Sequence, residues 1–515
     1  NSKLVTMLQT FAIIFVALVV FTSCQTVQRF EIFELALSGS TSTNPFMLNV
    51  EVTFTLKTSV SLSASRYPKA TVTAFYDGKN VWKVRFSPDT EGTWDWVSSS
   101  SESSLNGHKG SITCTPKTSS SHGGVIVDPD HKHHFIYEDG TRYFMMGYEA
   151  DWLWALGLPG VNTTVELDGF VKMTTSYGFN QFLVNVYANY SRWGEKVKAP
   201  PRVAPTKLTP WGENGKLDYN SMDLTYFNHF DVVMDTLKKY GAVCHLMITV
   251  WNKAVQWPSH ASPQDDLFWR YVAARYGAYS NIIFDLSKEA GREKDSYWAT
   301  RLPLLSKLNA HKRLITSHTY CPDWSYCDFI SAQVHSNYYN TSIASRKAHD
   351  IPVSTVEFLY EQGPIPTFGP HSPAIVMLPV MWSLYMSGGY GAWYYDDSAW
   401  DVIIMDETPG YKYCKLLKEF FSNVKYWEME PNNDFISSPS RDTIYGLMNT
   451  GKEYIAFAST DNTFSITLSQ VSSALSAEWY DPTTGNKVSA GTLGTGTHKV
   501  TPPHSFEHEA VLHIH

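Results

Sequence analysis

Eight short apolar runs, spread over residues 143–396 with helix-compatible segments between them, constrain this chain more than any other feature. They read YFMMGYE (143–149), FNQFLVNVY (179–187), AVCHLMITVW (242–251), NIIFDLS (281–287), KRLITSH (312–318), DFISAQVH (328–335), IPVSTVE (351–357) and YGAWYYD (390–396). A run that is apolar on both faces must be covered on both sides, and alternation with helices is how a parallel sheet achieves this. Eight such units close a (β/α)8 barrel. Only nine residues, 319–327, separate the fifth run from the sixth, so the helix there is expected to be missing or reduced to a turn. The intervening CPDWSYC, with Cys321 and Cys327, is the expected disulfide staple across that gap.

The flanks carry a different period. From Phe30 to Pro116, runs such as FMLNVEVTFTL and ATVTAFYDG alternate apolar and polar positions between Ser, Gly and Pro turns, the pattern of a β-sandwich. Within it, VRFSPDTEGTWDW (84–96) is expected to form a hairpin burying Trp94 and Trp96 on one face. After Phe435, TIYGLMN, EYIAFAS, FSITLS, EWYDPTTGNKV and AVLHIH specify a second sandwich. The expected organisation is a multidomain α/β chain: a signal peptide at 1–24, an Ig-like N-terminal β-sandwich at 26–117, a TIM (β/α)8 barrel at 125–428 and a C-terminal β-sandwich at 433–515. The signal peptide rests on Lys3 ahead of an apolar run from Phe11 to Phe21, which is short for a membrane span. Secretion follows as the expectation, with no membrane span in the mature chain, Cys24 as the position for a lipid anchor, and sequons at Asn162, Asn189 and Asn340 as glycosylation acceptors.

Charged residues make up only 17% of the chain, the net charge is −8 and no Lys/Arg cluster stands out, which argues against a nucleic-acid partner. Aromatic residues reach 14%, and flat amphipathic rings are what a carbohydrate partner needs for stacking. Close Cys or His pairs at zinc-ligand spacing are not evident, so neither a metal nor a cofactor is expected. Oligomeric state stays open.

In a barrel the last residues of the strands converge on one mouth. Glu289 falls just after the fourth run and Glu357 ends the seventh. Two carboxylates across a cleft are what glycosidic cleavage requires, one donating a proton and one ionised. Glu293 and Glu361, each four residues further on, are rivals, but Glu357 directly ends its apolar run. Around the same mouth the sequence places Glu149, Asp151 and Trp152 after run one, Asn185 and Tyr187 at run two, and Trp251 and Asn252 after run three. His318, His335 and Tyr338 come from runs five and six, and Trp393 from run eight. The Asp396–Asp397 pair reads as a solvated loop rather than a cation site.

IIFDLSKEA followed by PVSTVEFLYE resembles the glycoside hydrolase clan A superfamily, and more narrowly the apiosidase-like barrel family. GTRYFMMGYEADWLWALG looks like that family's first strand and loop, and VRFSPDTEGTWDW with LNGHKG like the N-terminal sandwich often fused to it. EWYDPTTGNKV with the later TPP looks like the collagen-binding-type C-terminal sandwich of such proteins. The resemblance implies a retaining mechanism with Glu289 as acid/base and Glu357 as nucleophile, and a hydrogen-bond donor beside the nucleophile, for which His335 and Tyr338 are the candidates. The chain departs from the pattern at Lys288, where clan A members carry an Asn that binds the sugar. An ammonium there is expected to lower the pKa of the neighbouring glutamate, which works against an acid role. Two functions from different classes follow: a secreted retaining glycoside hydrolase acting on a polysaccharide or glycan side chain, or a non-catalytic extracellular carbohydrate-binding or adhesion protein on the same scaffold.

Overall fold

The computed structural model describes residues 25–57, 65–191, 201–365, 371–438 and 444–515. The expected signal peptide and Cys24 lie outside the described residues.

Each of the eight apolar runs contains a strand: β1 Gly147–Glu149, β2 Gln181–Asn185, β3 Val243–Val250, β4 Ile282–Lys288, β5 Ile315–Thr316, β6 Ile330–Gln333, β7 Val353–Glu357 and β8 Tyr390–Trp393. β4 runs one residue past its run, to Lys288. All pairings are parallel, and β1 lies between β2 and β8, so the sheet curls back on its own first strand. The circle closes between β5 and β6 through a single bridge, His318 to Ser331. No helix connects these two strands, and a Cys321–Cys327 disulfide ties their connection.

Helices alternate with the other strands: α1 Leu167–Ser176, α2 Leu224–Lys239, α3 Pro263–Tyr276, α4 Asp295–Leu308, α5 Tyr338–His349, α6 Ala374–Met386 and α7 Pro409–Phe421. Their starts are written locally. Asp223 accepts the Tyr226 N–H at α2, Ser262 accepts the Asp265 N–H before Pro263 at α3, and Thr408 accepts the Tyr411 N–H before Pro409 at α7. Among the described residues no helix is long and apolar enough to cross a membrane.

Two sheets precede the barrel, one of five strands and one of three, and they share a core in which Phe54 of one stacks on Phe86 of the other at 4.0 Å. The expected hairpin at 84–96 does not form. Val81–Phe86 belongs to the three-stranded sheet and Gly92–Ser100 to the five-stranded one, so the Pro-Asp turn carries the chain between layers. Trp94 is buried against Phe86, whereas Trp96 is only half-buried over Gly110. This unit is bolted to the barrel by charge: Arg85 pairs with Asp231 of α2 at 2.7 Å, and Arg275 of α3 reaches both Asp231 and Asp77.

After the barrel, a six-stranded and a three-stranded sheet enclose a third core. Its outer face continues the barrel's apolar packing, with Trp382 of α6 stacked on Phe457 and Tyr339 of α5 on Tyr445.

Candidate active site

The C-terminal ends of β1, β4 and β7 deliver a buried set of opposite charges. Lys288, the last residue of β4, is 1% exposed. Its Nζ contacts Glu149 Oε1 at the end of β1, lies 3.4 Å from Asp151 Oδ2 and 3.3 Å from Glu357 Oε2 at the end of β7. Lys253, also buried, stands 3.5 Å from Asp151 Oδ2. Three carboxyl groups therefore face two lysine side chains in a region from which water is nearly excluded, and burial pulls the Lys253 amine down from its usual range. Burial raises the Glu149 carboxyl well above its usual range despite Lys288. Burial disfavours the Lys288 ammonium too, but Asp151, Glu149 and Glu357 outweigh it and hold the charge firmly in place.

Glu357 is the carboxylate most strongly held ionised. Burial alone would raise its pKa; Lys288, His318 and the Tyr360 hydroxyl together bring it down to about 2. Tyr360 OH donates to Oε1, and His318 Nε2 lies 3.6 Å from Oε2. The tautomer of His318 is set from its other side. The backbone N–H of Glu289 donates to Nδ1 at 2.9 Å, so the ring proton sits on Nε2, facing Glu357. Burial and the nearby Lys288 cation depress the imidazole to about 4, keeping it neutral.

A polar ladder inside the barrel fixes this arrangement. Gln181 Nε2 meets His245 Nδ1 at 3.0 Å, and His245 Nε2 meets Asp285 Oδ2 at 2.7 Å. Asp285 Oδ1 then accepts the backbone N–H groups of Ser287 and His318, both at 3.0 Å. One buried carboxylate thus pins the ends of β4 and β5, from which Glu289 and His318 project.

Glu289 leaves β4 in the left-handed region, φ +52°, a conformation that L side chains adopt rarely and at a cost. The turn directs its carboxylate away from Lys288. Asn252 Nδ2 donates to Oε1 at 2.6 Å, and the exposed Arg292 Nε contacts Oε2. The ion pairs of Lys288 are made with Glu149, Asp151 and, across the barrel, Glu357.

The other residues divide. Glu149, Asp151, Lys288, His318 and Glu357 come together, and the fully buried Asn185, at the end of β2, donates its backbone N–H to Asp151 O. Trp152 supports the group indirectly, its Nε1 donating to Ala188 O while Lys253 lies over its ring. Half-buried Trp251 flanks the third strand against Trp257 and His260. Tyr187 is packed among Trp154, Trp211 and Tyr226. His335 is exposed, with Nδ1 on Phe358 O, and the Tyr338 hydroxyl donates to His335 O, so neither supplies the donor beside Glu357. That donor is Tyr360, three residues downstream.

Trp393 is also displaced. Ala392 joins Leu183, Met247 and Val356 in the barrel interior, so Trp393 points outward and donates to Glu361 Oε2 at 2.7 Å. The ring at the mouth is Tyr394, 5.4 Å from the Lys288 ammonium and 4.3 Å from Tyr360. Glu293 lies beside His260 at 3.5 Å. Asp396 and Asp397 are fully buried rather than solvated: His371 contacts Asp396, and Asp397 accepts the Ile365 N–H and is pushed up to about 6 by burial.

The comparisons agree with this architecture. The family model "Apiosidase-like, catalytic domain" matches residues 129–428, and a domain of unknown function, DUF5060, matches 26–101. No curated protein is similar enough to count as a match. In fold, the chain is similar to a candidate glycoside hydrolase from Bacteroides vulgatus ATCC 8482, 20% identical, with a TM-score of 0.76 over 95% of this chain and 99% of that one. A glycoside hydrolase family 5 protein from the same organism is 16% identical, with a TM-score of 0.59 over 76% of this chain and 92% of the other. At these identities the likeness is one of fold, and the assignment rests on the family model, which spans more than half of the sequence: this chain belongs to the apiosidase-like family through its barrel.

Proposed function

We propose that the protein is a secreted retaining glycoside hydrolase that cleaves a glycosidic bond in a polysaccharide or glycan side chain. Glu357 is the nucleophile and Glu289 the acid/base. The observation that carries this reading is the state of Glu357: a buried carboxylate at a strand end, held ionised by Lys288, His318 and Tyr360, is a nucleophile that needs no proton removed before attack. The acid/base assignment of Glu289 is supported by its position directly after β4, where its backbone N–H donates to His318, the imidazole that lies 3.6 Å from Glu357. The attacking oxygen forms the glycosyl ester as the leaving oxygen takes its proton from Glu289; the carboxylate then activates water for hydrolysis of the ester.

A second reading, a carbohydrate-binding protein without turnover, draws on the Asn252 and Arg292 contacts that occupy the Glu289 carboxylate. One experiment separates them. The protein is screened against aryl glycosides and polysaccharides beside Glu357→Gln and Glu289→Ala. Sugar release by the native chain, abolished in Glu357→Gln and lost in Glu289→Ala far more for poor than for good leaving groups, is the expected result. Silence across the panel with glycan binding retained favours the binding protein.

A further inference from the structure

Far from the barrel mouth, the last strand of the six-stranded C-terminal sheet carries two histidines on one face. Strand Leu475–Tyr480 pairs antiparallel with Glu509–Ile514, placing Glu478 directly opposite His513. His515 follows two positions on, and its backbone exchanges both hydrogen bonds with Ser476, which holds it in register. The rings of His513 and His515 lie 4.4 Å apart and nearly parallel. Ligand atoms of Glu478, His513 and His515 all fall within 4.8 Å of one another.

We propose that Glu478, His513 and His515 form a binding site for a divalent transition metal of the zinc class. Two imidazoles and one carboxylate suit zinc, whereas calcium and magnesium prefer oxygen ligands throughout. A tetrahedral zinc sphere with ligands at ~2.1 Å brings donor atoms to roughly 3.4 Å from one another. The side chains therefore close inward slightly on binding, which the exposed His515 is free to do.

A second observation points the same way. His513 Nε2 meets Glu453 Oε1, on the neighbouring strand, at 2.8 Å. A carboxylate gripping one ring nitrogen is how metal-bound histidines are oriented, and it leaves Nδ1 for the cation. The three ligands also border a cavity of about 500 Å³ between the sheet and α7, lined there by Leu416, Glu419 and Phe420, with room for water or a small ligand to complete the coordination. Lys487 pairs with Glu478 Oε1 at 2.7 Å and is more than half exposed, so a cation takes the other oxygen or displaces an ammonium that is easily rehydrated. The sequence signal, His513-x-His515 on a strand, is short enough to escape a search for zinc spacings.

The test is calorimetric titration of the full chain, carrying no histidine tag, with zinc chloride alone, followed by cobalt(II) absorption as a readout of coordination. One zinc per chain is expected, with a rise in Tm on binding. His515→Ala, at an exposed position that leaves the fold intact, and Glu478→Gln are each expected to weaken zinc roughly tenfold or more and to remove the cobalt spectrum. No stoichiometric binding by the native chain, or binding undiminished in both variants, overturns the site.

Discussion

The Lys288 ammonium lies 3.3 Å from Glu357 Oε2, whereas the carboxylate of Glu289, its neighbour in the chain, is held by Asn252 and Arg292. The residue immediately before Glu289 thus acts across the barrel, from β4 to β7. Its removal leaves Glu149, Asp151 and Glu357 facing Lys253 alone. Lys288→Ala is expected to lose about 3–5 kcal/mol of stability, as breaking a buried ion pair does, measured by urea denaturation. A loss below about 1 kcal/mol would show that the cluster relaxes by taking up protons instead.

Tyr360 and Tyr338 offer a matched pair of substitutions. The Tyr360 hydroxyl donates to Glu357, while that of Tyr338 donates to a backbone carbonyl. A hydrogen bond to a charged group is worth roughly 1.5–3 kcal/mol. Tyr360→Phe should raise the Glu357 pKa by about one unit or more, and the acid limb of kcat/KM should move up with it. Tyr338→Phe should leave that limb unchanged. An unmoved limb in Tyr360→Phe would dissociate the hydroxyl from the reacting carboxylate.

His318 makes stability depend on pH. Its folded value, about 4, is below the ordinary imidazole value of 6.5, so between these two pH values the unfolded chain holds a proton that the folded chain lacks. Stability is therefore fully present above pH 6.5 and declines as pH falls toward 4, by on the order of 3 kcal/mol. Glu357, held at about 2, adds a second decline below its ordinary 4.5. Denaturation midpoints across pH 7 to 4 measure the first step, and His318→Gln should flatten it.

How much of this was legible depends on what each feature needs. The eight strands were readable because full burial on both faces writes itself as unbroken apolar runs. The missing helix between β5 and β6 was readable from the short spacing alone. Side-chain direction at the strand ends was not. One residue decides whether a ring lines the mouth or the outer layer, and Trp393 and Tyr394 are adjacent, so an apolar run cannot tell them apart. Glu289 turning through a left-handed conformation, and Lys288 reaching across to Glu357, depend on backbone geometry that residue type does not announce. The supposed hairpin at Trp94 failed because a Pro-Asp turn joins strands within a sheet or between sheets with the same local chemistry.

Glu361 provides the control for the whole assignment. It is as buried as Glu357 and only four residues away, yet its carboxylate turns outward to accept from Trp393 Nε1 and Thr408 Oγ1, both at 2.7 Å, and from the Gly410 N–H. Thr408 also caps α7, so Glu361 ties the end of that helix to β8. An amide in its place turns an NH2 toward at least one donor. Glu361→Gln should therefore cost about 1–3 kcal/mol of stability while leaving kcat within a few-fold of the native value, the reverse of Glu357→Gln. Thermal melts and initial rates on the same preparations measure both quantities. Lost turnover with unchanged stability in Glu361→Gln would transfer the nucleophile's role to Glu361 and with it the reading of the β7 end.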